Sequence, residues 1–339
     1  MPVAIACPDK FRGTLSAVAA ASHIATGARS VGFEVHEVPL ADGGEGTLDV
    51  LLARRGGSRR RARVTGPLGE PVDAEYGVLA DGTAVVEMAR ASGLQLVGGQ
   101  RDPLRASSRG TGELIAAARR GGASKIMVGV GGSASTDGGL GAADALGWSL
   151  AGIEVVVACD VTTTFVDAAA RFAPQKGASV AQVGLLTRRL ARLAEVYRAR
   201  TGVDVTALEG AGAAGGLAGG LAALGARLEP GFDAVAQAAG LEELLDGVDL
   251  VITGEGRLDA TSFEGKVVGG VLEWAEDLGV GHRAVIVGQA TDEAREELAV
   301  RGAVDLFVLT ERVAHGGEAF ARAGELLEAA AAEAARLVR

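Results

Sequence analysis

Carboxylates, hydroxyls and lysines gather with glycine at a few places in the chain, and chemistry is sought there first. Asp42 and Glu45 stand in Leu40-Ala41-Asp42-Gly43-Gly44-Glu45-Gly46-Thr47, directly after an apolar run. Two acids on such a turn suit a metal or a ligand hydroxyl, and equally a helix N-cap. The stretch 129–139 reads GVGGSASTDGG and sets Gly131, Gly132, Ser133, Ser135 and Asp137 side by side. Backbone N–H groups bared by glycine, joined by hydroxyl donors, suit a phosphate, and Asp137 would then be placed for Mg²⁺. Gly129, Gly131 and Ala134 also fit the GxGxxA dinucleotide fingerprint. The acid that should accompany it about 20 residues on is missing; Asp160 comes 31 residues after Gly129.

A further cluster, Glu255, Arg257 and Asp259, follows the apolar run Leu250–Thr253, with Lys266 close behind. Charges of mixed sign after a buried strand are costly unless solvated or used. Residues 260–267 miss the Walker A pattern at both ends, with Ala260 for glycine and Val267 for Ser or Thr. Lys10 and Arg12 follow the first apolar run, and Lys176 sits in Pro174-Gln175-Lys176-Gly177. Each lysine suits a phosphate or a substrate carboxylate, or else a solvated loop. The histidines, His23, His36, His282 and His315, have no metal-ligand spacing. No GxSxG elbow and no CxxC occurs.

Positioning these groups requires a scaffold, and the hydrophobic pattern supplies one. Apolar runs at Val3–Cys7, Val35–Leu40, Ile126–Val130, Glu154–Cys159, Leu250–Thr253, Ala284–Val287 and Leu306–Leu309 read as buried parallel strands. Helices are expected over Ser16–Ser30, Gly112–Arg120, Val180–Arg200, Phe232–Leu245, Val267–Leu278 and Glu318–Arg339. The alternation predicts an α/β fold. Residues 61–89 break it with three β runs, and Asp81-Gly82 between two of them signals a hairpin. The expectation is therefore two α/β domains. Residues 1–60 and 246–339 would form a parallel sheet from both chain ends, and 61–245 an inserted domain with a mixed sheet.

Composition sets the limits. The chain has 339 residues, 48% of them hydrophobic, with 52 glycines and only 8 prolines, which excludes a collagen-like or disordered chain. Four patches, 43–46, 129–147, 210–225 and 254–270, hold 22 of those glycines. A net charge of −10 argues against a nucleic-acid or anionic-membrane partner. Gly210 to Gly225 is uncharged but too short and too rich in glycine to span a membrane. Cys7 and Cys159 lie in apolar runs and read as buried thiols in a reducing cytoplasm, and no signal peptide opens the chain.

The segments PDKFRGTLSA (8–17), PLADGGEGT (39–47), VTGPLGEPV (64–72), GTGELI (110–115), GVGGSASTDGG (129–139), ACDV (158–161), FAPQKGA (172–178), GAGAAGGLAGGL (210–221) and DLVITGEGRLD (249–259) together resemble the type 1 glycerate kinases. The resemblance covers nearly the whole chain in one order. It implies ATP-dependent phosphorylation of D-glycerate, most often at the 2-hydroxyl, and a flavodoxin-like domain beside a restriction-enzyme-like one. On that basis Lys10, Arg12, Asp42, Glu45 and Arg257 are expected to bind glycerate. Gly131, Gly132, Ser133, Ser135, Lys176 and Lys266 are expected to bind the ATP phosphates, and Asp137, Asp160 and Glu255 the Mg²⁺. Asp160, preferred slightly over Asp42, would be the base, and Lys10 is also counted among the catalytic residues. An NAD(P)-dependent dehydrogenase and a non-catalytic ligand-binding protein are the alternatives. The chain departs from the family at the short Ser149–Gly152 joint, at Thr162-Thr163-Thr164-Phe165, and in its tail after Gly288.

Overall fold

The structure is a computed structural model and describes residues 1–338. Arg339, the last residue of the expected C-terminal helix, lies outside the described residues. The first strands are β1 (Val3–Ala6) and β2 (Glu34–Glu37). Next come β3 (Gly57–Thr65), β4 (Pro71–Leu79), β5 (Ala84–Glu87), β6 (Lys125–Gly129), β7 (Glu154–Ala158) and β8 (Arg227–Glu229). The last are β9 (Leu250–Leu258), β10 (His282–Ala290) and β11 (Val304–Val308). The chain divides into two compact units. One comprises Met1–Asp42, Asp49–Arg54 and Val235 onward; the other comprises Gly43–Leu48 and Arg55–Ala234.

The first unit holds a five-stranded sheet of order β11-β10-β9-β1-β2, with every pair parallel. Its centre is apolar because it is covered on both faces: Ala4, Ile5, Ala6, Ile252 and Ile286 are fully buried. The helices Ala17–Ser30 and Ala323–Leu337 pack together over one face. Ser16 starts the first of them by accepting a hydrogen bond from the Ala19 N–H. The chain leaves β1 toward β2 on one side and later returns to β9 on the other. The strand order therefore reverses between β1 and β9, and a crevice opens beyond their carboxyl ends.

The second unit holds a six-stranded sheet of order β3-β4-β5-β6-β7-β8. β3, β4 and β5 form the antiparallel meander expected over 61–89, and β5 to β8 run parallel. Gly82 takes φ 87° in the β4–β5 turn, where the Leu79 N–H bonds the Thr83 carbonyl. The edge strand β3 is mostly exposed and carries Arg59, Arg60, Arg61 and Arg63. The opposite edge, β8, is three residues long.

Two expected helices are each broken in two. Phe232–Leu245 divides into Gly231–Ala239 and Leu241–Leu245 because Gly240 adopts a left-handed φ of 71°. The C-terminal helix divides into Gly316–Ala321 and Ala323–Leu337 at Arg322.

The glycine-rich stretch 210–225 forms a buried helix, Ala213–Ala223, that opens with a left-handed turn at Ala214, Gly215 and Gly216. Glycine is required there by close approach. A Cβ on Gly215 would lie 2.2 Å from the Ser135 carbonyl oxygen, and one on Gly220 2.6 Å from that of Gly138. This segment therefore backs the 129–139 loop. Gly215→Ala adds both left-handed strain and that collision, and should cost roughly 2–4 kcal/mol in urea unfolding. A wild-type midpoint would contradict the packing.

Candidate active site

The crevice of the first unit is a cavity of about 380 Å³ at the carboxyl ends of its strands. Lys10, Arg12, Asp42, Glu255, Arg257 and Lys266, all singled out in the sequence, line it together. Asp9 lines it too and was not singled out by itself, although its place directly after a buried strand and before Lys10 was the available signal. Asp9 and Glu255 arise from β1 and β9, the pair between which the strand order reverses.

Burial dominates the electrostatics here. Desolvation pushes the Asp9 carboxyl up to about 6; the Lys10 ammonium opposes this and the Asp42 charge adds to it. Desolvation likewise pushes Glu255 up to about 7; a hydrogen bond from Ser262 opposes this and the charge of Asp9 adds to it. The Asp9 Oδ1 accepts the Lys10 N–H at 2.7 Å, whereas Glu255 Oε1 is buried with no hydrogen-bond partner. Asp259 is held elsewhere, capping the turn Ala260–Phe263 through the Thr261 N–H and hydroxyl, and its carboxyl lies below the usual range. Lys266 Nζ donates to Thr261 Oγ1 at 2.6 Å.

Mg²⁺ takes hard oxygen ligands, commonly one or two carboxylates plus phosphate. The orphaned oxygen of Glu255 and the neighbouring Asp9 fit that demand, and a cation there would relieve their repulsion. No group of three or more His, Cys, Asp or Glu suited to a metal occurs among the described residues. Substrate oxygens would therefore have to complete the coordination.

In the second unit the 129–139 loop follows β6. It does not open a helix as a dinucleotide fingerprint must. Instead Gly132 and Ala134 pair with Leu94 and Ser92, and Ser133 bridges Gly93. Gly131, Gly132 and Ser133 stay accessible, whereas Ser135 is fully buried. Lys176, only 2% exposed, lies behind the loop and donates to Ser133 Oγ at 2.7 Å and to the Ser135 carbonyl. Its ammonium is pushed down to about 7 by burial, against the pull of Asp137.

Asp137 spends both oxygens internally. Oδ2 accepts from the Ser108 N–H and hydroxyl at 2.8 and 2.9 Å, and more weakly from Ser107 Oγ and Gly141 N; Oδ1 accepts from Gly139 N. This carboxylate braces a loop instead of standing open to a metal. Asp160 Oδ1 is occupied by the Gly231 N–H at 2.7 Å, at the start of a helix. Glu45 belongs to a turn that Glu87 anchors through the Gly46 and Leu48 N–H groups, and its own Oε2 meets Gln95 Nε2 at 3.4 Å.

The family described as the glycerate kinase family matches residues 4–152 and 149–339. The chain belongs to that family. A relative from Escherichia coli (strain K12) named glycerate 2-kinase is 43% identical, the match covering 86% of this chain and 86% of that protein. A glycerate kinase from Bacillus subtilis (strain 168) is 38% identical over 375 aligned positions, covering 99% of this chain and 97% of that one. A solved structure from Salmonella typhimurium LT2 carrying the name glycerate kinase 2 superposes with a TM-score of 0.86 at 36% identity, covering 99% and 98% of the two chains. The two family stretches meet at residues 149–152, the short joint noted in the sequence. There Trp148, at φ 58°, packs on Tyr197 and beneath Arg200, which ties the shortened connection down. Among the described residues no helix is long and apolar enough to cross a membrane.

The raised carboxyls make a pH-dependent prediction. A raised acid costs the ligand-free fold nothing below its unfolded value. The cost is complete once the pH has passed its folded value, about 7 for Glu255. Glu255→Gln should therefore be the more stable protein at pH 8, by roughly 2 kcal/mol, with the gap closing by pH 4.5. Thermal melts that show the same gap at both pH values would sink this assignment.

Proposed function

We propose that this protein transfers the γ-phosphoryl group of ATP to the 2-hydroxyl of D-glycerate, giving 2-phosphoglycerate and ADP. The observation that carries the reading is the crevice of the first unit, which combines four cations with the buried acids Asp9 and Glu255, the latter with an unpartnered oxygen, in a family of glycerate kinases. Phosphoryl transfer asks for positioning and charge neutralisation more than for covalent chemistry. Lys10 and Arg12 pair with the glycerate carboxylate, and Arg257 adds a further donor to the acceptor. Lys266, at the rim of the same cavity, meets phosphate oxygens. Glu255 and Asp9 would hold Mg²⁺, whose chemistry is to neutralise phosphate charge as the bond to the leaving oxygen breaks.

The glycerate hydroxyl oxygen forms the new bond to phosphorus, and its proton passes to a carboxylate. Asp42 is the base in this reading, ahead of Asp160, because Asp42 lines the crevice and Asp160 already holds a helix start. Within the second unit, Gly131, Gly132 and Ser133 are the accessible N–H and hydroxyl donors, a set suited by type to phosphate. Lys176 and Ser135 act from behind, by fixing that loop. The cytoplasm is the compartment that fits a kinase with two unpaired thiols.

Incubation with ATP, Mg²⁺ and D-glycerate should give a 2-phosphoglycerate signal in ³¹P NMR, and none with NADH in place of ATP. A spectrum without phosphoglycerate would overturn the activity; 3-phosphoglycerate alone would overturn the regiochemistry. Within the site, Asp42→Asn should lower kcat by about 10²-fold or more, and Lys10→Ala should chiefly raise the glycerate KM. A near-normal kcat in Asp42→Asn, with a collapse in Asp160→Asn, would transfer the base role to Asp160.

A further inference from the structure

The second unit has a cavity of about 680 Å³ that nothing above employs. It lies between the segment 103–109, the segment 136–144 and the helix Val180–Thr201. One wall is apolar and built from Leu104, Leu140, Leu185, Leu190 and Leu193. Leu140 and Val196 are 38% and 39% exposed at this surface and extend that wall to solvent.

The rim is cationic in a chain whose net charge is −10. Arg105, Arg109, Arg188, Arg189 and Arg192 all line the cavity. Arg109 is paired with Glu113, and Arg189 donates to the Leu104 carbonyl. No carboxylate pairs with Arg105, Arg188 or Arg192 among the described residues. The two acids on the lining form no ion pair with them: Asp137 accepts from Ser108 and Gly139, and Asp144 accepts the Trp148 indole N–H at 2.8 Å. Thr136 supplies an independent sign of a missing ligand. It is 2% exposed, it lines the cavity, and its hydroxyl has no hydrogen-bond partner. A buried hydroxyl left unpaired costs free energy that a ligand would recover.

An apolar wall, one orphan hydroxyl and unpaired arginines describe the complement of an organic anion with a flat apolar body. A nucleotide is the member of that class already required, and Thr136 belongs to the same loop as the Gly131–Ser133 donors, with Ala134 and Ser135 between them. We propose that this cavity receives the adenosine of ATP, with the base against the leucines, Thr136 as its polar contact and the free arginines meeting the phosphates. The proposal rests on the ATP-dependent reading above.

The test is ADP titration of the full chain, followed by Trp148 fluorescence in a Trp274→Phe background. Trp148 touches the cavity through Asp144, and Trp274 is the only other tryptophan. Saturable change is expected with ADP, together with at least tenfold weaker binding in Arg188→Glu/Arg192→Glu and in Leu140→Asp. All three positions are exposed, so the fold should survive. Arg120→Glu, an exposed charge reversal away from the cavity, should bind ADP as the parent does. ADP affinity within twofold of the parent in both cavity variants overturns the proposal, and so does equal weakening in Arg120→Glu. If that failure comes while the parent still makes phosphoglycerate, the placement alone is wrong. If the parent neither binds ADP nor turns over glycerate, the ATP-dependent reading falls with it.

Discussion

Two neighbouring acids, both raised by burial, set the terms for the first unit. Asp9 and Glu255 sit where the strand order reverses, so the sheet itself brings them together. Such an arrangement resists folding unless the surroundings are shaped for it. Glycine does that shaping: a Cβ on Gly254 would lie 1.8 Å from the Ile286 carbonyl oxygen, and one on Gly288 2.4 Å from that of Gly256. The glycines after β9 begins thus keep β9 and β10 in register while the acids and cations crowd one end. The fold accepts a strained charge pattern there and is stabilised elsewhere by the packed faces of the sheet.

The second unit has the opposite device. It buries a cation, Lys176, under a loop of glycine and hydroxyls. Asp137 is too far engaged with Ser108 and Gly139 to serve as an open ligand, and instead stiffens the same loop. The left-handed turn at 214–216 closes the back of it. Rigid support behind accessible N–H groups is what preorganised phosphate binding needs, because reorganisation is then avoided when the anion arrives.

The strands were legible because buried parallel strands write themselves as short apolar runs, as at Val3–Ala6 and Ile126–Val128. The break at Gly240 was less legible. Glycine inside a helical pattern is compatible with continuation, and only the tertiary fit selects its left-handed form. For the site, residue type singled out Lys10, Asp42, Glu255 and Lys266, and the fold brings these four to one cavity. Residue type could not tell an available carboxylate from an occupied one. Asp137 and Asp160 look like Glu255 in sequence, and differ only in the backbone donors that the fold delivers to them. Asp9 was overlooked for the same reason in reverse: its burial is a property of the crevice, not of its neighbours in the chain.

The arginines along β3 have a consequence of another kind. A nine-residue edge strand offers unpaired backbone to any other extended chain. Here Arg59, Arg60, Arg61 and Arg63 would place like charges opposite one another in a symmetric pairing of two such edges. The opposite edge, β8, is too short to template anything, and in the first unit β2 is only four residues long. The six-stranded sheet thus ends in one border that carries like charges and another too short to pair, and the β2 edge of the five-stranded sheet is also short, features that disfavour edge-to-edge association.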